Sequence, residues 1–328
     1  MIATVNTMSI PTVDLRDPSD EVARQLDAAC SEIGFMQIVG HGIDAALEHE
    51  AWNCAAAFFA LSDEAKMAVA IPDGDAYGYG PFQVERLAAS RGDASPPDLK
   101  ETFSIGPFVD AQQTEEFIAQ DPAAAFAYSP NRWPIELSDM VQVMQRYYDE
   151  LGALCARLLS LMAEGLGMPA DTFASAIDRH TSALRLLHYP HVETADVVPG
   201  QLRAGAHSDY GTLTLLRQDD APGGLEVRGS DNEWHAIPAQ DGAYVVNIGD
   251  ALERWTAGRW RSTLHRVQIP PATSGSNQRQ SIAFFHNANW DALIDVLEPC
   301  RPAHGRVDPP ITAGRHLMER FLSTQQGE

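Results

Sequence analysis

The strongest regular pattern of apolar positions in this chain lies between about residues 136 and 166. Apolar side chains recur there every three or four residues, which is the spacing of one helix face. A stripe of this length typically packs against a core, so we predict one long helix that backs a sheet. Similar but shorter patterns predict helices over about residues 17–33, 44–60 and 312–323.

Between residues 182 and 288 the pattern changes to short β-rich segments separated by Gly, Pro and Asp turns. This spacing is typical of all-β sandwiches and barrels. A further strand is predicted at 35–39 (FMQIV), whereas 72–98 is rich in Gly, Pro and Asp and is interpreted as a loop, a candidate lid. The pattern as a whole predicts the α+β class, with helices and an opening strand around a central barrel-like β region.

The composition narrows the classes of partner. With 328 residues and 45% apolar positions, the chain can bury a large core in one domain or in two fused smaller ones. Its net charge of −22 argues against nucleic acid and against anionic membrane surfaces, since both attract basic proteins. The four cysteines form no CxxC pair, and neither a signal-peptide pattern nor an apolar run of about 18 residues is found. These features predict a cytoplasmic protein with no membrane segment.

Three residues are candidate metal ligands: His207, Asp209 and the distant His265. Two imidazoles and one carboxylate can bind one face of an Fe(II) ion and leave the opposite positions open for substrate and O₂. If this segment is a strand, residues 207 and 209 point to the same side. A lone His on a strand is usually structural, so the HxD pair depends on support from the segments that follow.

A second candidate group lies in the strand-like run RQSIAFFHN, which begins at Arg279. Period-two alternation places Arg279, Ser281, Ala283 and Phe285 on one face. A guanidinium beside a hydroxyl can receive a carboxylate, because Arg offers two parallel N–H donors and Ser one more. An open metal and a fixed carboxylate receptor together suggest 2-oxoglutarate, whose keto acid end can chelate iron while its far carboxylate reaches the receptor.

These segments, taken in order, resemble the isopenicillin N synthase-like family of Fe(II)/2-oxoglutarate-dependent dioxygenases. The similarity runs almost end to end and includes the family's G-F-F-x-I-x-N-H-G-I signature as GFMQIVGHGI. The matching segments are IPTVDL (10–15), GFMQIVGHGI (34–43), KETFSIG (100–106), LRLLHYP (184–190), AHSDYGTLTLLRQD (206–219), GGLEV (223–227), AYVVNIGDALERWTAGRWRSTLHRV (243–267) and RQSIAFFHNAN (279–289). Each piece is weak alone, but the ordered set is specific.

The resemblance implies a fold and a domain organisation. It implies a double-stranded β-helix (jelly roll) core flanked by α-helices, with the long helix as its backing. Residues 1–130 would form the family's N-terminal helical and strand region, and residues 131–328 the jelly-roll domain with a C-terminal helix. The two regions are expected to form one compact unit.

The resemblance also implies a reaction. The expected enzyme uses Fe(II), 2-oxoglutarate and O₂ to oxidise an unactivated C–H of a small molecule in secondary metabolism, with release of succinate and CO₂. The outcome would be hydroxylation, desaturation or cyclisation, and no obligate protein partner is expected. One alternative stays open within the family, because isopenicillin N synthase itself is an Fe(II) oxidase that uses no 2-oxoglutarate.

Residue roles follow from the same resemblance. His207, Asp209 and His265 match the iron ligands, while Arg279 and Ser281, joined by Tyr189, match the residues that hold 2-oxoglutarate. Substrate contacts are expected from segments near the mouth of the barrel, with simple packing as the alternative for each: Tyr77, Tyr79, Phe82, Glu101, Phe103, Leu187, Leu215 and Phe285.

Overall fold

The computed structural model describes residues 10–91, 95–193, 196–270, 277–304 and 307–325. Its helices include the long one that the periodicity predicts, here named α5. The helices are α1 (Ser19–Glu32), α2 (Ala45–Phe59), α3 (Asp63–Met67), α4 (Ala111–Gln120), α5 (Met140–Gly165), α6 (Ala174–Ile177), α7 (Asp250–Trp255) and α8 (Ala313–Gln325).

The strands form two main sheets. The strands are β1 (Thr12–Asp14), β2 (Phe35–Val39), β3 (Gly78–Gly80), β4 (Glu101–Ile105), β5 (Ala183–Tyr189), β6 (Ala204–His207), β7 (Leu213–Gln218), β8 (Gly224–Arg228), β9 (Trp234–Ala236), β10 (Tyr244–Ile248), β11 (His265–Gln268), β12 (Arg279–His286), β13 (Leu293–Ile294) and β14 (Ile311–Thr312). The larger sheet has the order β1-β2-β10-β7-β12-β5-β4-β3, and the smaller one β6-β11-β8-β9. Neighbouring strands of the two run antiparallel except β1 and β2.

Side chains from both sheets meet in the space between them. Leu187 and Ala283 of the larger sheet share an apolar cluster with Ala204 and Val267 of the smaller one. A second cluster joins Phe35 on β2 to strands β8 and β10. The sheets therefore face each other across a common interior, and the predicted α+β jelly roll is confirmed.

The other face of the larger sheet packs against helices. Strict alternation along β7 sends Leu213 and Leu215 into the large apolar core that contains α5, while Thr214, Leu216 and Gln218 face the smaller sheet. Both faces of the central strands are therefore covered, and apolar residues occur on both sides of β7, such as Leu215 and Leu216.

Two details differ from the sequence-based expectations. The long helix begins at Met140, later than predicted, because the preceding residues form turns in which the Leu137 N–H donates to the Pro134 carbonyl (3.3 Å). The segment predicted as a loop at 72–98 contains β3 and a 3₁₀ turn at Leu87–Arg91. Within the described residues, no helix combines the length and the apolar content needed to cross a membrane.

Candidate active site

His207 and His265 lie directly opposite each other on two paired strands. His207 is the last residue of β6 and His265 the first of β11, and the two are register partners with ring centroids 4.3 Å apart. Asp209 lies just beyond the end of β6 rather than on the strand, contrary to the simple alternation argument. Its carboxylate nevertheless reaches the two imidazoles, and one ligand atom from each residue lies within 4.8 Å of the other two.

Each imidazole is oriented by a backbone carbonyl. His207 Nδ1 lies 2.7 Å from the Gly205 carbonyl oxygen, and His265 Nδ1 lies 3.1 Å from that of Thr263. Because a carbonyl oxygen only accepts hydrogen bonds, Nδ1 carries the proton in both rings. The Nε2 lone pair of each ring is therefore free to bind a metal.

The carboxylate of Asp209 is oriented in the same way. Its Oδ2 accepts hydrogen bonds from Thr214 Oγ1 (2.6 Å) and Asn247 Nδ2 (2.7 Å). Its Oδ1 faces the two Nε2 atoms, at 3.7 Å from His207 and 3.6 Å from His265. The three candidate ligand atoms therefore converge, while the other polar atom of each side chain is already hydrogen-bonded.

The protonation states suit metal binding. Burial, reinforced by the neighbouring His265, lowers the pKa of His207 to about 3. Burial alone would raise the pKa of Asp209, but the two imidazoles and the hydrogen bonds from Thr214 and Asn247 outweigh it and hold that pKa below its usual value. Neutral imidazole and ionised carboxylate are the forms that ligate a divalent ion.

Close backbone packing fixes the turn that carries Asp209. A Cβ on Gly211 would lie 2.3 Å from the His286 carbonyl oxygen, and one on Gly249 would lie 2.2 Å from that of Gly211. The Asp250 N–H also donates to the Asp209 carbonyl (2.8 Å). The turn is therefore locked between β10 and β12.

The donor set fits iron. Among the residues that the structure describes, this is the one group of three or more His, Cys, Asp or Glu side chains placed to hold a metal ion. Two imidazoles and one carboxylate on one side are the facial arrangement of non-haem Fe(II) oxygenases, and none of the ligands is the thiolate typical of structural zinc.

Arg279 lies on the barrel side of β12 and is 3% exposed. Its Nη1 donates to Asp219 Oδ1 (3.0 Å) and its Nη2 to Gln218 Oε1 (2.6 Å), whereas its buried Nε has no hydrogen-bond partner in the described parts of the chain. A Cβ on Gly224 would lie 3.0 Å from Nη1, so the glycine gives the guanidinium room that a side chain would narrow. The arginine is therefore held in place from two sides.

The residues expected to act with Arg279 are beside it. Tyr189 is its cross-strand partner on β5, and Leu187 is the partner of Ser281. Ser281 and Tyr189 are each 2% exposed. The sequence-based grouping of these side chains on one interior face agrees with the register.

A network of buried ions, which the sequence reasoning missed, lies further along the same wall. Arg185 pairs with Glu85, and Lys100 Nζ lies 3.1 Å from Glu85 and 3.3 Å from Asp98. Asp98 in turn accepts from the backbone N–H of Gly205 on β6, the strand that ends at His207 (2.9 Å). Burial would raise the pKa of Glu85, but Arg185 and Lys100 outweigh it and lower that pKa to about 2. The network thus connects Glu85, Asp98 and Lys100 to the strand that carries His207.

Of the expected substrate contacts, two face the interior. Leu187 and Phe285 share the apolar cluster that contains Tyr189. Thr102 and Ser104 on β4 accept hydrogen bonds from Arg185 and therefore lie on the side of Arg185. Because side chains alternate along a strand, their neighbours Glu101 and Phe103 face the opposite side.

The remaining expected contacts lie elsewhere. Phe103 and Leu215 belong to the helix-facing core, where Phe103 packs on Phe58 at 4.2 Å. Glu101 binds Tyr79 Oη (2.6 Å), His188 and Lys66 on that same side. Tyr77 is buried, its hydroxyl donating to the Ala127 carbonyl, and Phe82 is 36% exposed. The structure therefore gives Tyr77, Tyr79, Phe82, Glu101, Phe103 and Leu215 packing or surface positions instead of positions beside the metal ligands.

Comparison with known proteins gives matches along both regions of the chain. Residues 10–136 match the family described as non-haem dioxygenase in morphine synthesis N-terminal, and residues 180–288 match the 2OG-Fe(II) oxygenase superfamily. The 2-oxoglutarate-dependent dioxygenase citB of Monascus ruber is 33% identical over 341 aligned residues, which cover 98% of each chain.

Solved structures show the same similarity. The Neurospora crassa T7H structure with alpha-KG and thymine matches with a TM-score of 0.82 and 31% identity, over 96% of this chain and 97% of that one. JOX2 in complex with 2OG, Fe and JA matches with a TM-score of 0.77 and 26% identity, over 100% of this chain and 88% of JOX2.

Proposed function

Because the chain belongs to the 2OG-Fe(II) oxygenase superfamily, we propose that His207, Asp209 and His265 bind its Fe(II) ion. The protein is a 2-oxoglutarate- and Fe(II)-dependent dioxygenase, and its relatives' names favour this over an oxidase that uses no 2-oxoglutarate. One observation carries the ligand assignment: three ligand atoms lie within 4.8 Å of one another while their other polar atoms are hydrogen-bonded.

The chain contributes geometry and charge to the reaction. Fe(II), with 2-oxoglutarate and O₂, supplies the oxidation of an unactivated C–H of a small molecule, with release of succinate and CO₂. Arg279 and Ser281 bind and orient the far carboxylate of 2-oxoglutarate, with Tyr189 beside them. Asp219 and Gln218 keep the Arg279 guanidinium in the orientation that this contact needs.

The substrate is a small molecule that contacts Leu187 and Phe285. Both are interior-facing apolar side chains in one cluster, and Arg185 is on the same face of β5 as Leu187. T7H is crystallised with thymine, which is a substrate-sized molecule of this kind. The reaction would be hydroxylation, desaturation or cyclisation, according to which C–H the pocket presents.

The cellular setting is part of the same proposal. The cysteines Cys30, Cys54, Cys155 and Cys300 are free thiols, and the net charge is −22. These features support a cytoplasmic enzyme without a nucleic-acid or membrane partner. Residues 1–130 and 131–328 act as one unit, since β2 and β4 hydrogen-bond to β10 and β5.

Anaerobic titration with Fe(II) in the presence of 2-oxoglutarate tests the ligand assignment. We expect a weak visible charge-transfer band that saturates at a single iron per chain. His207→Ala should weaken Fe(II) binding by more than about 100-fold, because losing a partner of a ligand alone costs about 10- to 100-fold.

His304→Ala is the matched control, since His304 is exposed and lies outside the ligand group. This variant should titrate like the wild type. An unchanged titration curve for His207→Ala would reject the proposed ligand set.

A further inference from the structure

Arg203, the residue before β6, carries a buried guanidinium group. Its relative exposure is 0%, and none of its three guanidinium nitrogens has a hydrogen-bond partner among the described residues. Its backbone N–H donates to the Val267 carbonyl (3.1 Å), which fixes the strand but leaves the side chain unpaired. A buried charge of this kind is strongly destabilising unless an anion meets it.

The side chain lies beside the carboxylate receptor. Its Cζ is 5.7 Å from the centroid of the Tyr189 ring, and Tyr189 is the cross-strand partner of Arg279. Burial and the nearby Arg279 lower the pKa of Arg203 to about 10, so the group remains a cation at neutral pH. Two guanidinium groups therefore lie close together at one end of the barrel interior.

The charges in this part of the interior do not balance. Asp219 pairs with Arg279, and it is the one carboxylate acting on Arg203 within the described residues. Two cations and one anion leave one positive charge. Arg279 donates from Nη1 to Asp219 and from Nη2 to Gln218 and keeps its Nε free, whereas all three guanidinium nitrogens of Arg203 lack a hydrogen-bond partner within the described residues.

We propose that Arg203 is a second guanidinium that binds the distal carboxylate of 2-oxoglutarate together with Arg279. The inference rests on the proposed role of Arg279. It goes beyond that role because one carboxylate accepts hydrogen bonds from the unpaired Arg203 nitrogens and neutralises the excess positive charge. A planar guanidinium can give a carboxylate two parallel N–H bonds. The same pair would favour a keto acid with a second carboxylate over one without it.

Binding of two keto acids to one variant tests this role. The affinity of anaerobic Fe(II)-loaded protein for 2-oxoglutarate and for 2-oxopentanoate, which lacks the distal carboxylate, is measured by calorimetry. Arg203→Met should weaken 2-oxoglutarate binding by about 10- to 100-fold, as expected for charged hydrogen bonds. It should leave the affinity for 2-oxopentanoate within about 2-fold, since the lost contact involves the distal carboxylate alone.

Further measurements separate binding from folding. The metal-free Arg203→Met protein should melt no lower than the wild type, because an unpaired buried charge has been removed. Arg203→Lys keeps the charge without the planar fork and should give an intermediate loss for 2-oxoglutarate alone. Arg266→Met is the matched control on β11, since Arg266 already pairs with Glu226 (2.7 Å), and it should bind both acids normally.

The outcomes are distinguishable. Unchanged 2-oxoglutarate affinity in Arg203→Met and Arg203→Lys, or an equal loss for both acids, overturns the role of Arg203. If Arg279→Met loses 2-oxoglutarate while Arg203→Met does not, the proposed receptor stands and the further inference fails. If the wild type shows no preference for 2-oxoglutarate over 2-oxopentanoate, the receptor itself is wrong.

Discussion

The two faces of the eight-stranded sheet use their side chains differently. Towards the helices, Leu186, Leu215 and Phe284 are at most 1% exposed and pack in one large apolar core with α5. Towards the smaller sheet, the same sheet presents polar groups such as Thr214 and Asn247, which hydrogen-bond to Asp209. Alternation along single strands therefore supplies stability on one face and chemistry on the other.

The difference lies in what the polar groups on each face meet. On the helix side, Glu101 is paired within the chain by Lys66 and His188. On the barrel side, the Nε2 atoms of the two candidate iron ligands lie close to each other and to Asp209 Oδ1. Single unpaired atoms such as His188 Nε2 occur on the helix side as well, so the convergence of several ligand atoms, more than polarity alone, distinguishes the ligand-binding face.

The largest expected effect comes from removing a ring on the helix side. Phe103→Ala should lower the free energy of unfolding by about 3–5 kcal/mol, since Phe103 is fully buried against Phe58 and Trp133. Chemical denaturation measures this change. The KM of the folded enzyme for its substrate should stay the same, because the ring faces away from the metal ligands.

Phe82→Ala is the control for this comparison. Phe82 is 36% exposed, and its truncation should change stability by no more than about 0.5 kcal/mol. A clear rise in KM for Phe103→Ala without loss of stability would place that ring at the substrate and would break the division between the two faces.

The sequence predicts which segments form helices and strands better than it predicts which side of a strand each residue faces. The 3.6-residue period is enough to predict α5, whereas the HxD pair with His265 predicts a metal site only together with the segments that follow it. Leu215 is expected at the substrate but lies in the helix-facing core, because the β7 sequence LTLLRQ has apolar residues on both sides and periodicity gives no orientation. Thr214 is the residue beside it that faces the site.

Partners that come from distant strands are harder to predict. Asn247 on β10 and Thr214 on β7 both bind Asp209, and no local pattern links them before the pairing of β7 and β10 is known. Sequence patterns do not single out Arg203 either. It stands out only in the structure, where its guanidinium has no hydrogen-bond partner among the described residues. Strand register and burial therefore identify residues that their spacing in the sequence does not reveal.

A partly buried imidazole on the helix side should make that face sensitive to acid. His180 stacks on Tyr148, and burial lowers its pKa to about 4. The unfolded chain then binds a proton first, so stability is complete above about pH 6.5 and is lost as the pH falls towards 4. The predicted contribution is about 3 kcal/mol, from the difference between these two pKa values.

Denaturation of His180→Phe across this pH range measures the contribution. The variant should lose less stability than the wild type between pH 7.5 and 4.5, whereas the exposed-residue control His304→Gln should follow the wild type. Identical pH profiles for His180→Phe and the wild type would show that the acid sensitivity arises elsewhere.

The smallest and sharpest test compares two neighbours on β10 that point to opposite faces. Asn247→Ala removes a donor to Asp209 and should weaken Fe(II) binding by about 10- to 100-fold with little loss of stability. Val246→Ala opens a space in the helix-facing core and should lower the free energy of unfolding while iron affinity stays unchanged. Metal titration and denaturation of both variants give the four values. If both variants lose iron affinity equally, the effect reaches the site through general loosening of β10, and the two faces are not independent.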